Sequence, residues 1–258
     1  MMRDKNDKSI KDIFKTMFSL KEDSASHDEI KTRLLDGGKV TGTNMCVMVC
    51  AILIASVGLN TGSTAVIIGA MLISPLMGSI LAIGYGVASV DGGLVKRHVI
   101  GFLFQIIASV LTATIYFLLS PVKEPTGELL ARTTPTLFDV IIATAGGVAG
   151  IIGQTREDKA NNIIPGVAIA TALMPPLCTC GYSIANWNMK MLGGAAYLFM
   201  INTYFIFLSA CIVLALLRIP RVRELTEKEW KKLIFRMIIN TIIAALPAVV
   251  GAIIYMCS

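Results

Sequence analysis

A proline-interrupted apolar segment that occurs twice constrains the fold of this chain more than any other feature. Residues 65–86 read AVIIGAMLISPLMGSILAIGYG, and residues 164–185 read IPGVAIATALMPPLCTCGYSIA. Aligning Pro75 with Pro176 also pairs leucines on both sides of the prolines. Proline removes a backbone donor and clashes with the preceding helical turn, so each helix should break near the middle of a bilayer. Paired interrupted segments of this kind are typical of the solute site of a transporter.

Composition places the chain in the membrane. Of its 258 residues, 55% are hydrophobic and 16% are charged, whereas soluble domains carry about 25% charged residues. The sequence therefore predicts an all-α, polytopic transmembrane bundle with spans of about 20 residues. Residues 1–40 lack the features of a cleaved signal peptide, so the first span should act as an uncleaved anchor. Seven spans are expected, near 43–59, 64–90, 99–120, 137–153, 163–185, 192–217 and 237–256.

The distribution of Lys and Arg predicts the orientation. Residues 1–41 carry nine, the turns at 91–98 and 154–162 carry two each, residues 218–236 carry seven, and three lie elsewhere. With seven spans, twenty of the 23 fall on the side of the N-terminus, so that side should be cytoplasmic in a bacterial inner membrane. Re-entrant hairpins at the two breaks would change the split to eighteen and five, and that alternative stays open. The net charge of +6 then reflects topology, and no nucleic-acid partner is expected.

The two broken segments form the centres of two larger units, 42–120 and 137–217. The flanking helices match at an offset of 95, where FLFxI at 102–106 corresponds to YLFxI at 197–201. Each unit has three spans, and because three is odd, a second copy must enter the membrane upside down as an inverted repeat. The basic stretch 218–236 and the last span, 237–256, lie outside the repeat. Chance similarity between two apolar segments is the competing interpretation.

The motifs IIGAMLISPLMGSI and ATALMPPLCTCGYSIA resemble a bacterial membrane family named domain of unknown function 389. The resemblance covers roughly residues 42–217. It implies the membrane region but no activity, and no site residue follows from it. Longer members of that family carry a soluble N-terminal domain, so any function of such a domain is not expected from this chain.

The breaks themselves supply the candidate binding residues. A break frees backbone groups that must be satisfied by protein or water, so it is tolerated where it lines a cavity. A half-helix N-terminus after each proline favours an anion or carboxylate, while freed carbonyls favour a small cation. The alternative is that proline and glycine simply kink two packed helices. The candidate residues are Ser74, Pro75, Gly78, Pro175, Pro176 and Thr179.

Four amide side chains are candidates for a gate or a secondary polar contact: Asn60, Gln105, Asn161 and Asn202. Asn60 and Asn161 precede the two broken segments, where each side chain would otherwise cap a helix. Gln105 and Asn202 lie within spans. There they would otherwise join helices by hydrogen bonds worth about 1 kcal/mol each.

Other partners and chemistries follow from what the residues supply. Only His27 and His98 are present and no Cys has ligand spacing, so neither a metal site, nor a cofactor, nor enzymatic activity is expected. Residues 10–18 place apolar side chains on one helical face, as in an amphipathic helix on a lipid surface. Glycine-rich faces are compatible with a homo-oligomer. We therefore expect a secondary transporter or facilitator of a small polar or anionic solute, with an ion channel or a non-transporting scaffold or sensor as alternatives.

Overall fold

The computed structural model describes residues 24–156 and 172–257, and these residues form an all-helical protein without strands. The predicted all-α class is confirmed. Residues 10–18 and Asn161, both subjects of predictions, lie outside the described residues, as does the first half of the second broken segment. The helices of the described residues are α1 (His27–Gly37), α2 (Gly42–Thr61), α3 (Thr64–Leu72), α4 (Leu76–Ala88), α5 (Gly92–Leu119), α6 (Gly127–Ala131), α7 (Leu137–Thr155), α8 (Met174–Ala185), α9 (Met189–Leu216) and α10 (Glu227–Cys257).

Polar residues determine where the long helices begin. The side chains of Thr41, Asp91 and Asn188 accept hydrogen bonds from the third backbone N–H of α2, α5 and α9. Thr136 and Asp139 form a capping box at the start of α7. Such caps satisfy donors that a helix cannot satisfy itself. The cap at Asp91 explains why α5 begins at Gly92, seven residues before the predicted span at 99–120.

Several helices are long and apolar enough to cross a bilayer. They are α2, α5, α7, α9 and the part of α10 at Glu227–Val249, and α3 with α4 makes a sixth candidate bent by 45°. The chain is an integral, multi-pass membrane protein. Of the basic stretch predicted at 218–236, residues 227–236 belong to the same helix as the last span, since α10 runs unbroken from Glu227, and only residues 218–226 precede it.

One turn occurs twice in the chain with the same hydrogen bonds. Between α4 and α5 the Asp91 N–H donates to Gly86 O over 2.9 Å, and between α8 and α9 the Asn188 N–H donates to Ser183 O over 2.9 Å. The residues before the two donors, Val90 and Trp187, both adopt positive φ, 58° and 54°. The two turns are therefore related by an offset of 97, and the helices that follow them, α5 and α9, are both 28 residues long.

A pair of glycine contacts follows the same offset. A Cβ added at Gly84 of α4 would lie 2.9 Å from the Cβ of Ala210 on α9, and one added at Gly181 of α8 would lie 2.5 Å from the Cβ of Ala113 on α5. Gly181 is Gly84 plus 97, and Ala210 is Ala113 plus 97. Each half-helix thus packs closely on the third helix of the other unit.

The contacts of α1 define one end of the bundle, called the α1 end below. The Nδ1 of His98 near the start of α5 lies 3.1 Å from Gly38 O, which directly follows α1. The Ala25 N–H, before α1, donates to Thr155 O at the end of α7 over 2.8 Å. The starts of α2 and α5 and the end of α7 therefore lie at this end.

The contacts of α6 define the opposite end, called the α6 end. The Thr126 hydroxyl, which precedes α6, donates to Leu59 O near the end of α2 over 2.6 Å, and the Thr64 hydroxyl at the start of α3 donates to Glu128 of α6 over 2.6 Å. The Tyr182 hydroxyl of α8 donates to Lys123 O in the same region. Because α7 begins just after α6 and ends at the α1 end, α2 and α7 run in opposite directions.

The last helix, α10, is attached to α9 by two tyrosines. The Tyr197 hydroxyl donates to Ala244 O over 2.7 Å and accepts from the Ala248 N–H over 3.1 Å, so it is inserted into the helical ladder around Pro247. The Tyr204 hydroxyl donates to Met237 O over 2.9 Å. Side-chain insertion next to proline is a known cause of helix bending.

Candidate binding site at the helix breaks

The first break lies between α3 and α4 and is closed on one side by α1. Ser74 and Pro75 are half-buried, and the Ser74 hydroxyl oxygen accepts a hydrogen bond from the Leu76 N–H at 3.5 Å. Gly78, in the first turn of α4, lies against the backbone of Gly37, and a Cβ at Gly78 would collide with Gly37 O. Of the predicted residues here, Ser74 accepts from the first N–H of α4 and Gly78 permits the close approach of α1.

The second break is buried and leads into α8. Pro175, Pro176 and Thr179 are all buried. The Thr179 hydroxyl donates to Pro175 O within its own helix over 2.9 Å, so this hydroxyl satisfies a carbonyl of its own helix. The two prolines occupy the second and third positions of α8, where they remove N–H donors that an anion would otherwise use.

Two buried amides connect the third helices to the breaks. Gln105 of α5 is 1% exposed, and its Oε1 accepts from the Ser79 hydroxyl of α4 over 2.8 Å. Asn202 of α9 is 4% exposed, and its Nδ2 donates to Ala172 O, just before α8, over 3.1 Å. Asn202 is Gln105 plus 97, so the two amides correspond in the register set by the repeated turns.

The glycine contacts show which half-helix residues lie level with each amide. Gln105 precedes Ala113 by eight residues, and Leu173 precedes Gly181 by eight, a displacement of about 12 Å along each helix. Since Ala113 and Gly181 touch, Gln105 is level with the N-terminus of α8. The same reasoning from Ala210 and Gly84 puts Asn202 level with Leu76, at the N-terminus of α4.

The amide layer is defined by Gln105, Asn202 and the N-terminal residues Leu76 and Leu173. Among the described residues, 24–156 and 172–257, the buried Gln105 Nε2 has no hydrogen-bond partner. A buried donor left unpaired costs about 1–3 kcal/mol, so an unpaired donor at the junction of two half-helices needs an explanation. A bound solute would supply the missing acceptor.

Asn60 lies away from the amide layer. Its Nδ2 donates to the Ser120 hydroxyl over 2.6 Å and lies 3.4 Å from the Tyr116 hydroxyl. Ser120 follows Gln105 by fifteen residues, which is about 22 Å along the axis of α5. Asn60 therefore joins α2 to α5 at the α6 end, where the sequence placed a gate or a cap.

Sequence reasoning missed Ser79 and the carbonyl of Ala172, which the two amides bind. The repeated Gly-Tyr pair, Gly84-Tyr85 and Gly181-Tyr182, could have matched Gln105 with Asn202 at an offset of 97, but it does not identify these partners. As to other chemistry, no group of three His, Cys, Asp or Glu side chains in 24–156 and 172–257 is arranged to hold a metal ion.

Comparisons with known proteins identify a family and name no activity. The family model described as domain of unknown function (DUF389) matches residues 71–208, more than half of the chain, including both amides. An uncharacterized protein of Methanocaldococcus jannaschii is 25% identical over 205 residues, which are 80% of this chain and 63% of that protein. The chain thus spans less than two thirds of this relative, whose source is an archaeon although the resemblance suggested a bacterial family. No solved structure matches the chain.

Proposed function

We propose that this chain, which belongs to the family described as domain of unknown function (DUF389), is a secondary transporter or facilitator of a small polar or anionic solute. The observation that carries the proposal is the pair of buried amides, Gln105 and Asn202, each bonded to a helix break and each level with the other unit's half-helix. Discontinuous helices at the membrane centre are where transporters bind their solutes.

The architecture we propose is an inverted repeat of two three-span units, α2–α5, in which α3 and α4 form one broken span, and α7–α9. Three observations support it: the identical turns at an offset of 97, the exchange of glycine contacts between the units, and the opposite directions of α2 and α7. Each unit contacts the other through the same pair of positions, so the proposed symmetry is twofold. Because α2 and α7 run in opposite directions, its axis would lie in the membrane plane.

In this scheme α3 and α4 together form one full span, because Thr64 contacts the α6 end while the Ser89 carbonyl, just after α4, binds the Val222 N–H beyond the end of α9. With the span predicted at 163–185, and with α10, seven spans result. The α1 end would face the cytoplasm, since it carries the basic segments. Alternating access would then come from rocking one unit against the other around the amide layer.

Thermal stability of the detergent-purified chain tests the proposal. The panel consists of chloride, acetate, succinate, glycine, glutamate, sodium and potassium. A solute that binds only the folded state should add roughly 2.7 kcal/mol at 100 times its dissociation constant. We expect one class to give a saturable shift that Gln105→Leu removes and Asn202→Leu reduces. Thr112→Ala should retain the shift, because the Thr112 hydroxyl binds Ala108 O of its own helix over 2.8 Å.

Transport of the stabilising solute then separates the functions. In proteoliposomes a carrier shows saturable counter-exchange, which Gln105→Leu should abolish, Asn202→Leu should reduce and Thr112→Ala should leave intact. Flux without saturation or counter-exchange would favour a channel. Absence of both a stability shift and flux from folded protein would remove the transporter proposal and leave the scaffold.

A further inference from the structure

A basic cleft lies at the α1 end, away from the amide layer. It consists of two cavities, of about 690 and 740 Å³, that share the walls Val87, Leu225 and Leu233. The segment between α9 and α10 separates them. Five cationic side chains line the cleft: Arg218 and Arg221 in the first cavity, and Arg223, Lys232 and Arg236 in the second.

The segment that divides the cleft is held in place by its own contacts. The Val222 N–H donates to Ser89 O over 2.8 Å, and the Arg221 guanidinium lies 4.7 Å from the ring centroid of Trp230. Arg223 forms an ion pair with Glu229 at 3.2 Å. The cleft is therefore a built feature whose walls come from α4, α5, α9, α10 and the segment between α9 and α10.

The cleft is lined by more cations than carboxylates. Asp91 caps α5 by accepting from the Leu94 N–H, and Glu229 is bonded to Thr226 as well as to Arg223. Within the part of the chain that the structure describes, Arg218, Lys232 and Arg236 form no ion pair. Glu224 is the remaining carboxylate of the cleft. Positive charge is thus left over beside apolar walls.

The floor of the first cavity is apolar and continues toward the bilayer. Ile212 and Ala215 of α9 and Met237 of α10 line it. Ile212 is 51% exposed, and Ile238 and Ile242 farther along α10 are 53% and 58% exposed. An acyl chain could lie along this surface while its headgroup stays among the cations. Trp230 is also a residue type typical of the membrane interface.

We propose that the basic cleft binds the phosphate headgroup of an anionic phospholipid. Guanidinium groups present forked donors that fit phosphate oxygens, and basic pockets between membrane helices bind anionic headgroups on the cytoplasmic side. The apolar floor favours a lipid over free phosphate, which needs no acyl surface. The proposal is independent of any solute at the amide layer.

The test uses the full chain in nanodiscs of phosphatidylcholine alone or of equal parts phosphatidylcholine and phosphatidylglycerol. The cleft variant is Lys232→Gln with Arg236→Gln. Its control, Lys96→Gln with Lys228→Gln, removes the same charge from exposed residues at the same end that line neither cavity. Thermal stability in phosphatidylcholine alone shows that both variants are folded, and titration with phosphatidylglycerol followed by native mass spectrometry gives the affinity.

We expect the cleft variant to bind phosphatidylglycerol at least about tenfold more weakly than the wild type, since each charge-assisted hydrogen bond is worth about a factor of ten or more. The control should change by less than about twofold. Equal losses in both variants would mean general surface attraction and would overturn the proposal. Inorganic phosphate is the second ligand: if it stabilises the chain in phosphatidylcholine discs as much as phosphatidylglycerol does, the ligand is free phosphate and the lipid is excluded.

Discussion

Replacing Gln105 by leucine separates a functional amide from a structural one. The Gln105 Nε2 is buried and has no hydrogen-bond partner in the part of the chain that the structure describes, while Oε1 accepts one bond from Ser79 at 2.8 Å. If a solute uses this amide, the empty protein keeps an unpaired donor at a cost in stability. Leucine has similar volume and no polar atoms, so it removes that cost together with the bond to Ser79.

The unpaired donor and the hydrogen bond to Ser79 contribute to the stability of Gln105→Leu with opposite signs. Removing the unpaired Nε2 recovers about 1–3 kcal/mol, and losing an interhelical hydrogen bond in a membrane costs about 0.6–1 kcal/mol. The Ser79 hydroxyl can turn to a carbonyl of its own helix, as Ser109 does with Gln105 O over 2.7 Å. We therefore expect Gln105→Leu to be neutral or more stable by about 1–2 kcal/mol, a rise in Tm of up to several degrees.

Thermal unfolding of wild type, Gln105→Leu, Ser79→Ala and the double variant measures these terms. The coupling energy between the two sites should be about 1 kcal/mol or less, and the solute-dependent Tm shift should be absent from Gln105→Leu. A loss of more than about 3 kcal/mol in Gln105→Leu would refute the reasoning, because it would make Gln105 a structural amide. A stable variant with an unchanged solute shift would refute it equally.

Three further predictions concern packing. Gly84→Ala should destabilise the protein by about 1–3 kcal/mol, and Ala210→Gly should rescue it because the Ala210 Cβ is the close contact at 2.9 Å. Gly181→Ala should not be rescued by Ala113→Gly, because the Thr114 backbone N remains at 2.8 Å. Tm values of the four single and double variants decide this. Gly78→Ala should destabilise the protein because the added Cβ meets Gly37 O. The control Gly69→Ala, whose Cβ has nothing within 4 Å, should be neutral or slightly stabilising. Equal effects of the two substitutions on stability would contradict the packing of α1 on α4. Tyr197→Phe should weaken the attachment of α10 to α9 by about 1–2 kcal/mol and speed amide exchange at Ala248. Tyr204→Phe should have a smaller effect because Met237 O keeps its bond from Thr241 at 2.8 Å. Hydrogen exchange of α10 that is the same in both variants would argue against the insertion of Tyr197.

The sequence predicted the helical class and the first break because both depend on local properties. Apolar length specifies candidate spans, and proline at position 75 interrupts a helix wherever it packs. Gln105 and Asn202 could be chosen as candidates because a buried amide within a span requires a partner. Which partner each one has, Ser79 or Ala172 O, depends on how the helices pack, and nothing local in the sequence specifies it.

The register of the two broken segments shows the limit of proline as a marker. Aligning Pro75 with Pro176 gives an offset of 101, whereas the turns and the glycine contacts give 97. Pro75 precedes the first residue of α4, while Pro176 is the third residue of α8. Proline is tolerated at both places, so it marks a break without fixing its register. Gly84 and Gly181 fix the register because each touches a particular alanine of another helix.

In the corrected register the two halves of the amide layer are chemically unequal. The first turn of α8 has lost two N–H donors to Pro175 and Pro176, whereas α4 has lost none within the helix. The Asn202 Nδ2 already donates to Ala172 O, but the Gln105 Nε2 has no acceptor among the residues that the structure describes. A solute acceptor should therefore depend mainly on Gln105, and Gln105→Leu should weaken solute binding more than Asn202→Leu. Stability should respond in the opposite order, since Asn202→Leu leaves Ala172 O unpaired at a cost of about 1–3 kcal/mol; if instead both variants lost binding and stability in the same proportion, the two amides would be equivalent structural contacts.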